Sequence, residues 1–207
     1  MDQAGILACM SAAIQDNAAR PVSGGPASRP LRLVAARTLA ASLEAAIASA
    51  DGVAGAHCIH ELWMRGELAV HIESALERLW SAAAASIPDW LPMRHIEWLP
   101  LAYEVSARFQ PRRRGRSNIY LVLLDYRDSR EEPYGVYVGA TRYPPADRFD
   151  QHKAGIRAAG SVLRRGLEVL SGPTAHLQGL SRPEALDIEE RLALALGAEG
   201  LFVQGGH

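Results

Sequence analysis

Asn118-Ile119-Tyr120-Leu121-Val122-Leu123-Leu124 and Val136-Tyr137-Val138-Gly139, separated by the polar stretch from Asp125 to Pro133, set the architecture of the second half of this chain. In the first run Ile119, Leu121 and Leu123 alternate with Tyr120, Val122 and Leu124. In the second, Val136 and Val138 alternate with Tyr137 and Gly139. A period of two reads as strand, and the charged interval between the runs reads as a long hairpin tip. Antiparallel pairing of the two strands would set Tyr120 and Tyr137 side by side on one face.

Working outward, Pro144-Pro145-Ala146-Asp147 has prolines in the approach and an acid in the first turn, so a helix is expected to begin near Pro145. Arg148 and His152 stand one turn apart on it and project from the same face. Further on, Ser181-Arg182-Pro183-Glu184 has the form of a capping box. It opens a helix with Ala185, Ile188, Leu192 and Leu196 along one side and Glu189 near its middle.

Two tyrosine-bearing strands, an Arg/His pair one turn apart and a later helical carboxylate, in that order, resemble the GIY-YIG nuclease superfamily over roughly residues 116–207. The first glycine of the family motif is Asn118 here, and the hairpin tip is longer than is usual in the family. No asparagine follows Asn118, so the family's late asparagine is replaced by Gln204 or His207, or its role is absent. The resemblance implies a catalytic set of Tyr120, Tyr137, Arg148, His152 and Glu189, with Glu189 holding Mg²⁺ or Mn²⁺. It also implies divalent-metal-dependent hydrolysis of nucleic acid, DNA ahead of RNA. A catalytically decayed module that binds nucleic acid or a protein partner is the alternative.

Each residue type suits that chemistry. Phosphodiester hydrolysis requires an activated water and neutralisation of charge on the phosphoryl oxygens. A single carboxylate suffices for a Mg²⁺ that keeps most of its water shell, and Arg148 offers a charged fork to the phosphate. A phenol with a reference pKa of about 10 becomes a base only beside positive charge. His152, with a reference value of about 6.5, is the other proton carrier. The resemblance gives a tyrosine first place and His152 a relay role, whereas the residues themselves leave that order open. Taken singly, the tyrosines are ordinary strand residues, His152 falls in register with Phe149 and Ile156 as a structural histidine would, and Asp187 and Glu190 are as eligible as Glu189.

The chain has 207 residues, a net charge of -1 and an apolar content that supports a core. It has no apolar run long enough to cross a bilayer and no basic segment followed by an apolar block at its start. With only Cys9 and Cys58, the expectation is a cytoplasmic protein with free thiols. Charge is unevenly shared: from Pro111 onward there are 14 basic and 12 acidic residues. Arg112, Arg113, Arg114 and Arg116, together with Lys153, are the candidate nucleic-acid-binding residues. Lys153 is the only lysine, so arginine is this chain's ordinary cation.

Three segments are expected: residues 1–30 with a flexible Pro/Gly/Ser connector at 20–30, a helical region over 31–95, and an α/β domain over 96–207. In the helical region Leu39, Leu43, Ala46, Ile47 and Ala50 fall at helical spacing. Ile72, Leu76, Leu79, Trp80 and Ala83 do so again. Such helices could also contact a protein partner. Ile96 to Phe109 reads as an extended lead into the sheet. His57-Cys58-Ile59-His60-Glu61, with His71 beyond, has zinc-type ligands, but Met64 stands where a protease motif needs its second histidine. A helix start with His57 and Glu61 as a surface pair is the expectation there. The fold class expected is α/β: a small mixed or antiparallel sheet flanked by helices, preceded by a mainly α-helical region.

Overall fold

The computed structural model describes residues 29–88, 90–91, 96–112 and 114–206. Among these residues seven α-helices accompany one four-stranded mixed sheet, an α/β fold with a helical N-terminal region. Helices α1 (Ala36–Ala48), α2 (Gly52–Met64) and α3 (Ala69–Ala83) form that region. The expected stripes are the buried ones: Leu39, Leu43 and Ala46 on α1, and Ile72, Leu76, Leu79 and Ala83 on α3. Asp51 caps α2, its Oδ1 accepting the Ala54 N–H at 3.0 Å.

Three local expectations are overturned. The segment 96–109 is not extended, because Leu99–Ala107 is helix α4. Pro100 fits its first turn, where no N–H donor is needed. Ala102, Val105, Ser106 and Phe109 are buried at three- and four-residue intervals, a helical period. The His57 to Glu61 cluster is not a helix start but the middle of α2. Glu61 is no surface partner of His57: only 1% exposed, it accepts two hydrogen bonds from Arg29 at 2.9 and 2.7 Å and one from Arg65 at 2.6 Å. The capping box at Ser181 does not form either. Ser181 Oγ makes no hydrogen bond, and Glu184 turns instead to the Arg112 backbone N–H.

Of the connector at 20–30, Arg29 and Pro30 are the described residues, and Arg29 is held rather than free. Its side chain, 7% exposed, reaches Glu61 on α2, and Asp150 Oδ2 (2.9 Å) and the Ala146 carbonyl (3.1 Å) on a helix introduced below. A desolvated guanidinium between two carboxylates satisfies its donors, and Arg65 on Glu61 supplies the second balancing charge.

Strands β1 (Arg114–Asp125) and β2 (Tyr134–Thr141) form the expected antiparallel hairpin, from Asn118 opposite Thr141 to Asp125 opposite Tyr134. Then come α5 (Pro145–Lys153), α6 (Gly160–Arg165), β3 (Gly166–Val169), α7 (Arg182–Ala198) and β4 (Val203–Gly205). Strand β3 adds antiparallel to β1 and β4 parallel to β2, giving the order β3-β1-β2-β4. Ile119, Leu121, Leu123, Val136 and Val138 join one core with α1 to α4 and with Ala185, Ile188, Leu192 and Leu196 of α7. On the other face Tyr120, Val122 and Leu124 pack with Phe149 of α5 and Val162 of α6. Burial on both faces explains why β1 is almost continuously apolar.

Candidate active site

The site begins with the two phenols. Tyr120 lies opposite Gly139, and Tyr137 lies opposite Val122, two residues along, so the rings are diagonal neighbours on one face with centroids 5.9 Å apart. Gly139 makes this arrangement possible. A Cβ at that position would sit 2.7 Å from Tyr120 Cζ, Tyr120 Oη and Tyr137 Cε1.

Helix α5 closes over Tyr120. The proline-led start fixes its register, and its Arg148 and His152 face the phenols as the four-residue spacing requires. His152 Nδ1 accepts the Ala159 backbone N–H at 2.9 Å, so the ring proton resides on Nε2 and is donated to Tyr120 Oη at 2.8 Å. Both ring nitrogens are therefore committed. Tyr120 and His152 are each 1% exposed. Burial, and secondarily the Arg148 charge, lowers the His152 pKa to about 4, so the imidazole is neutral at physiological pH. Burial, reinforced by Tyr137, raises the Tyr120 pKa, and burial likewise raises that of Tyr137.

Arg148 acts electrostatically on Tyr120, Tyr137 and His152. Its guanidinium is anchored by Gln151 Oε1 (3.1 Å), the Ile156 carbonyl (3.1 Å) and the Arg157 carbonyl (2.8 Å). The loop after α5 thus fixes both chemical groups of the helix: its carbonyls hold the cation, and its Ala159 N–H selects the histidine tautomer.

Tyr137 and Glu189 line one cleft of about 460 Å³, together with Gln204, Arg164, Arg165 and Tyr126. Glu189, on the buried side of α7 and 8% exposed, is close enough for its charge to raise the Tyr137 pKa further. Asp187 and Glu190 on the same helix are exposed and do not line the cleft. Gln204 pairs in register with Tyr137 across β2 and β4. Of the two residues weighed for the late amide, Gln204 is thus in the cleft, while His207 lies outside the described residues. Tyr120 does not reach the cleft: α5 and its own partners enclose it, so of this pair Tyr137 is the one on the wall.

Among the described residues no three His, Cys, Asp or Glu side chains gather around a point. One carboxylate lining the cleft with the Gln204 amide and a phenol fits a hydrated Mg²⁺ or Mn²⁺, which takes one or two protein oxygens and keeps most of its waters. Glu189 is the residue that would hold it. The zinc-type residues of α2 offer no such site, since Glu61 is engaged by two arginines.

Asn118 does not stand at a positive φ, so a glycine is not required there. Its Nδ2 donates to the Tyr143 carbonyl at 2.9 Å and its Oδ1 accepts the Gly179 N–H at 3.0 Å, tying two loops to the head of β1. Arg112, Arg114 and Arg116 are exposed, whereas Arg113 lies outside the described residues. Lys153 is exposed, but its Nζ is tied to protein, donating to the Leu163 and Gly166 carbonyls at 3.2 and 3.1 Å, and partial burial lowers its pKa. Arg164, Arg165 and Tyr126 are cleft residues that sequence reasoning passed over, because nothing in their spacing sets them apart from other surface arginines and tyrosines. Comparison of the chain with protein-family models, with curated proteins and with solved structures returns no match.

Proposed function

We propose that this chain is a divalent-metal-dependent nuclease that hydrolyses phosphodiester bonds, DNA ahead of RNA. The supporting observation is that Tyr137, Glu189 and Gln204 line a single cleft, with Arg148 and the tautomer-locked Tyr120/His152 pair behind it. Mg²⁺ on Glu189 would supply a more acidic bound water and neutralise phosphoryl charge. Tyr137, as phenolate, receives the proton of the attacking water. Its elevated pKa means that it reaches this form only when positive charge balances it, and Arg148 provides part of that charge. Tyr120 supports Tyr137 from behind, and His152 holds Tyr120 in turn.

A second reading rests on the raised phenol pKa values and the Arg148 guanidinium tied to carbonyls, both of which suit a module that binds without cutting. A magnesium-dependent nicking assay on wild type, Glu189→Ala and Arg148→Ala separates the two. Cleavage by wild type that both substitutions abolish supports the enzyme. Tight binding without cleavage in any of the three supports the module.

A further inference from the structure

One end of the cleft extends away from Tyr137 and Glu189 to Arg164, Arg165 and Tyr126. Arg165 is pinned there. Its guanidinium lies 4.5 Å from the Tyr126 ring centroid, bonds the Asp125 carbonyl at 2.8 Å and pairs with Asp128 at 2.6 Å. Tyr126 in turn meets Phe202 edge-on at 4.8 Å, and Arg130 covers Phe202 at 3.7 Å. The result is a braced pair of edge-on rings with a guanidinium over each. With 28% of its side chain still exposed, Arg165 lines the cleft while its guanidinium is pinned over Tyr126. Arg164 beside it is exposed and forms no ion pair among the described residues.

A rigid guanidinium plane suits a nucleobase face, which every base has, and a free arginine suits a phosphate. A cleft of about 460 Å³ is of the size that holds one small molecule, which suits a single nucleotide. We propose that the Arg164/Arg165 end of the cleft is a nucleotide subsite, in which an unpaired nucleotide beside the scissile linkage stacks its base on Arg165 and gives its phosphate to Arg164. This rests on reading the cleft as a nucleic-acid site, and it narrows the ligand to single-stranded or locally unpaired chains.

The test is fluorescence anisotropy in EDTA, so that cleavage does not intervene, with a labelled ten-nucleotide DNA single strand, its RNA counterpart and the corresponding blunt DNA duplex. Wild type should bind the single strands more tightly than the duplex. Arg164→Ala should reduce the slope of log affinity against log salt by about 0.7, the loss of one phosphate contact on a single strand. Arg165→Lys keeps the charge and removes the plane, so affinity should fall about 5- to 20-fold with the salt slope kept. Thermal melts check that both variants are folded. Duplex binding equal to or tighter than single-strand binding overturns the subsite. So do unchanged affinity and slope in both variants while wild type binds single strands, a result that leaves the nuclease reading standing. No binding by wild type to any of the three also overturns the subsite, while the metal-dependent nicking assay decides the nuclease reading separately.

Discussion

His152 Nε2 and Tyr120 Oη are joined by a 2.8 Å hydrogen bond whose polarity is dictated from elsewhere, by the Ala159 N–H on the opposite ring nitrogen. Protonating His152 would remove the acceptor that this N–H needs. Burial, with the Arg148 charge second, lowers the ring's pKa from 6.5 to about 4, and the Ala159 N–H is a further contact that only the neutral ring can make.

The pH dependence of stability follows. Above pH 6.5 the ring is neutral in both folded and unfolded chains. As pH falls toward 4, the unfolded chain takes up a proton that the folded chain refuses. Stability is then lost by up to about 1.4 kcal/mol per pH unit, levelling off below the folded pKa. Urea unfolding of wild type and His152→Gln between pH 7 and 4 measures this. The substitution should flatten that part of the profile, and an identical slope in both proteins would refute the account.

Gly139→Ala tests the contact between the phenols. Its Cβ would fall 2.7 Å from both rings, and β2, held between β1 and β4, has little freedom to move away. A loss of about 1–3 kcal/mol is expected, with nuclease activity falling further than stability because Tyr137 is displaced. A thermal melt and a nicking assay on the same preparation give the comparison.

Asn118 invites the opposite substitution. Asn118→Gly restores the glycine of the motif that the chain resembles, yet it removes both hydrogen bonds, to the Tyr143 carbonyl and from the Gly179 N–H. Chemical denaturation should show both Asn118→Gly and Asn118→Ala destabilised by about 1–2 kcal/mol. A more stable glycine variant would mean that backbone freedom, not the clamp, governs the position.

Arg29 couples the N-terminal helices to the helix that carries Arg148 and His152. Arg29→Ala leaves Asp150 half-buried without its cation and leaves Glu61 with Arg65 alone. Removing one partner from such a network costs about 3 kcal/mol or more. The double substitution Arg29→Met with Asp150→Leu should recover part of that loss, as read by denaturant midpoints. No recovery would show that the Glu61 contact dominates.

Local signals make the β1/β2 hairpin, α1, α3, α5 and α7 legible: an apolar run from Ile119 to Leu124 answered by Val136 and Val138, helical spacing at Leu39/Leu43, Ile72/Leu76 and Ile188/Leu192, and the prolines that open α5. Helix α4 is masked by its place just ahead of the sheet, although Pro100, Ala102, Val105 and Ser106 carry its signature. The Arg29 contacts reach 32 residues to Glu61 and 121 to Asp150, and no local pattern encodes them. The unequal fates of Tyr120 and Tyr137 were equally illegible. Both share one strand face, and only the seating of α5 and its loop encloses one and leaves the other on the cleft.

That asymmetry gives the most discriminating substitution pair. Tyr137→Phe removes the hydroxyl on the cleft wall while keeping the ring, so cleavage should drop by about 100-fold or more with little change in folding. In wild type the phenolate fraction grows tenfold per pH unit below its raised pKa, so the rate should climb toward alkaline pH, and Tyr137→Phe should level that climb. Tyr120→Phe leaves the buried His152 Nε2–H without its acceptor, at a cost of about 1–3 kcal/mol in stability. Because Tyr120 does not face the cleft, the alkaline rise in rate should persist at reduced amplitude. If Tyr120→Phe, and not Tyr137→Phe, levels the pH profile, the enclosed phenol is the proton acceptor, and α5 must move away from the sheet for the reaction to occur.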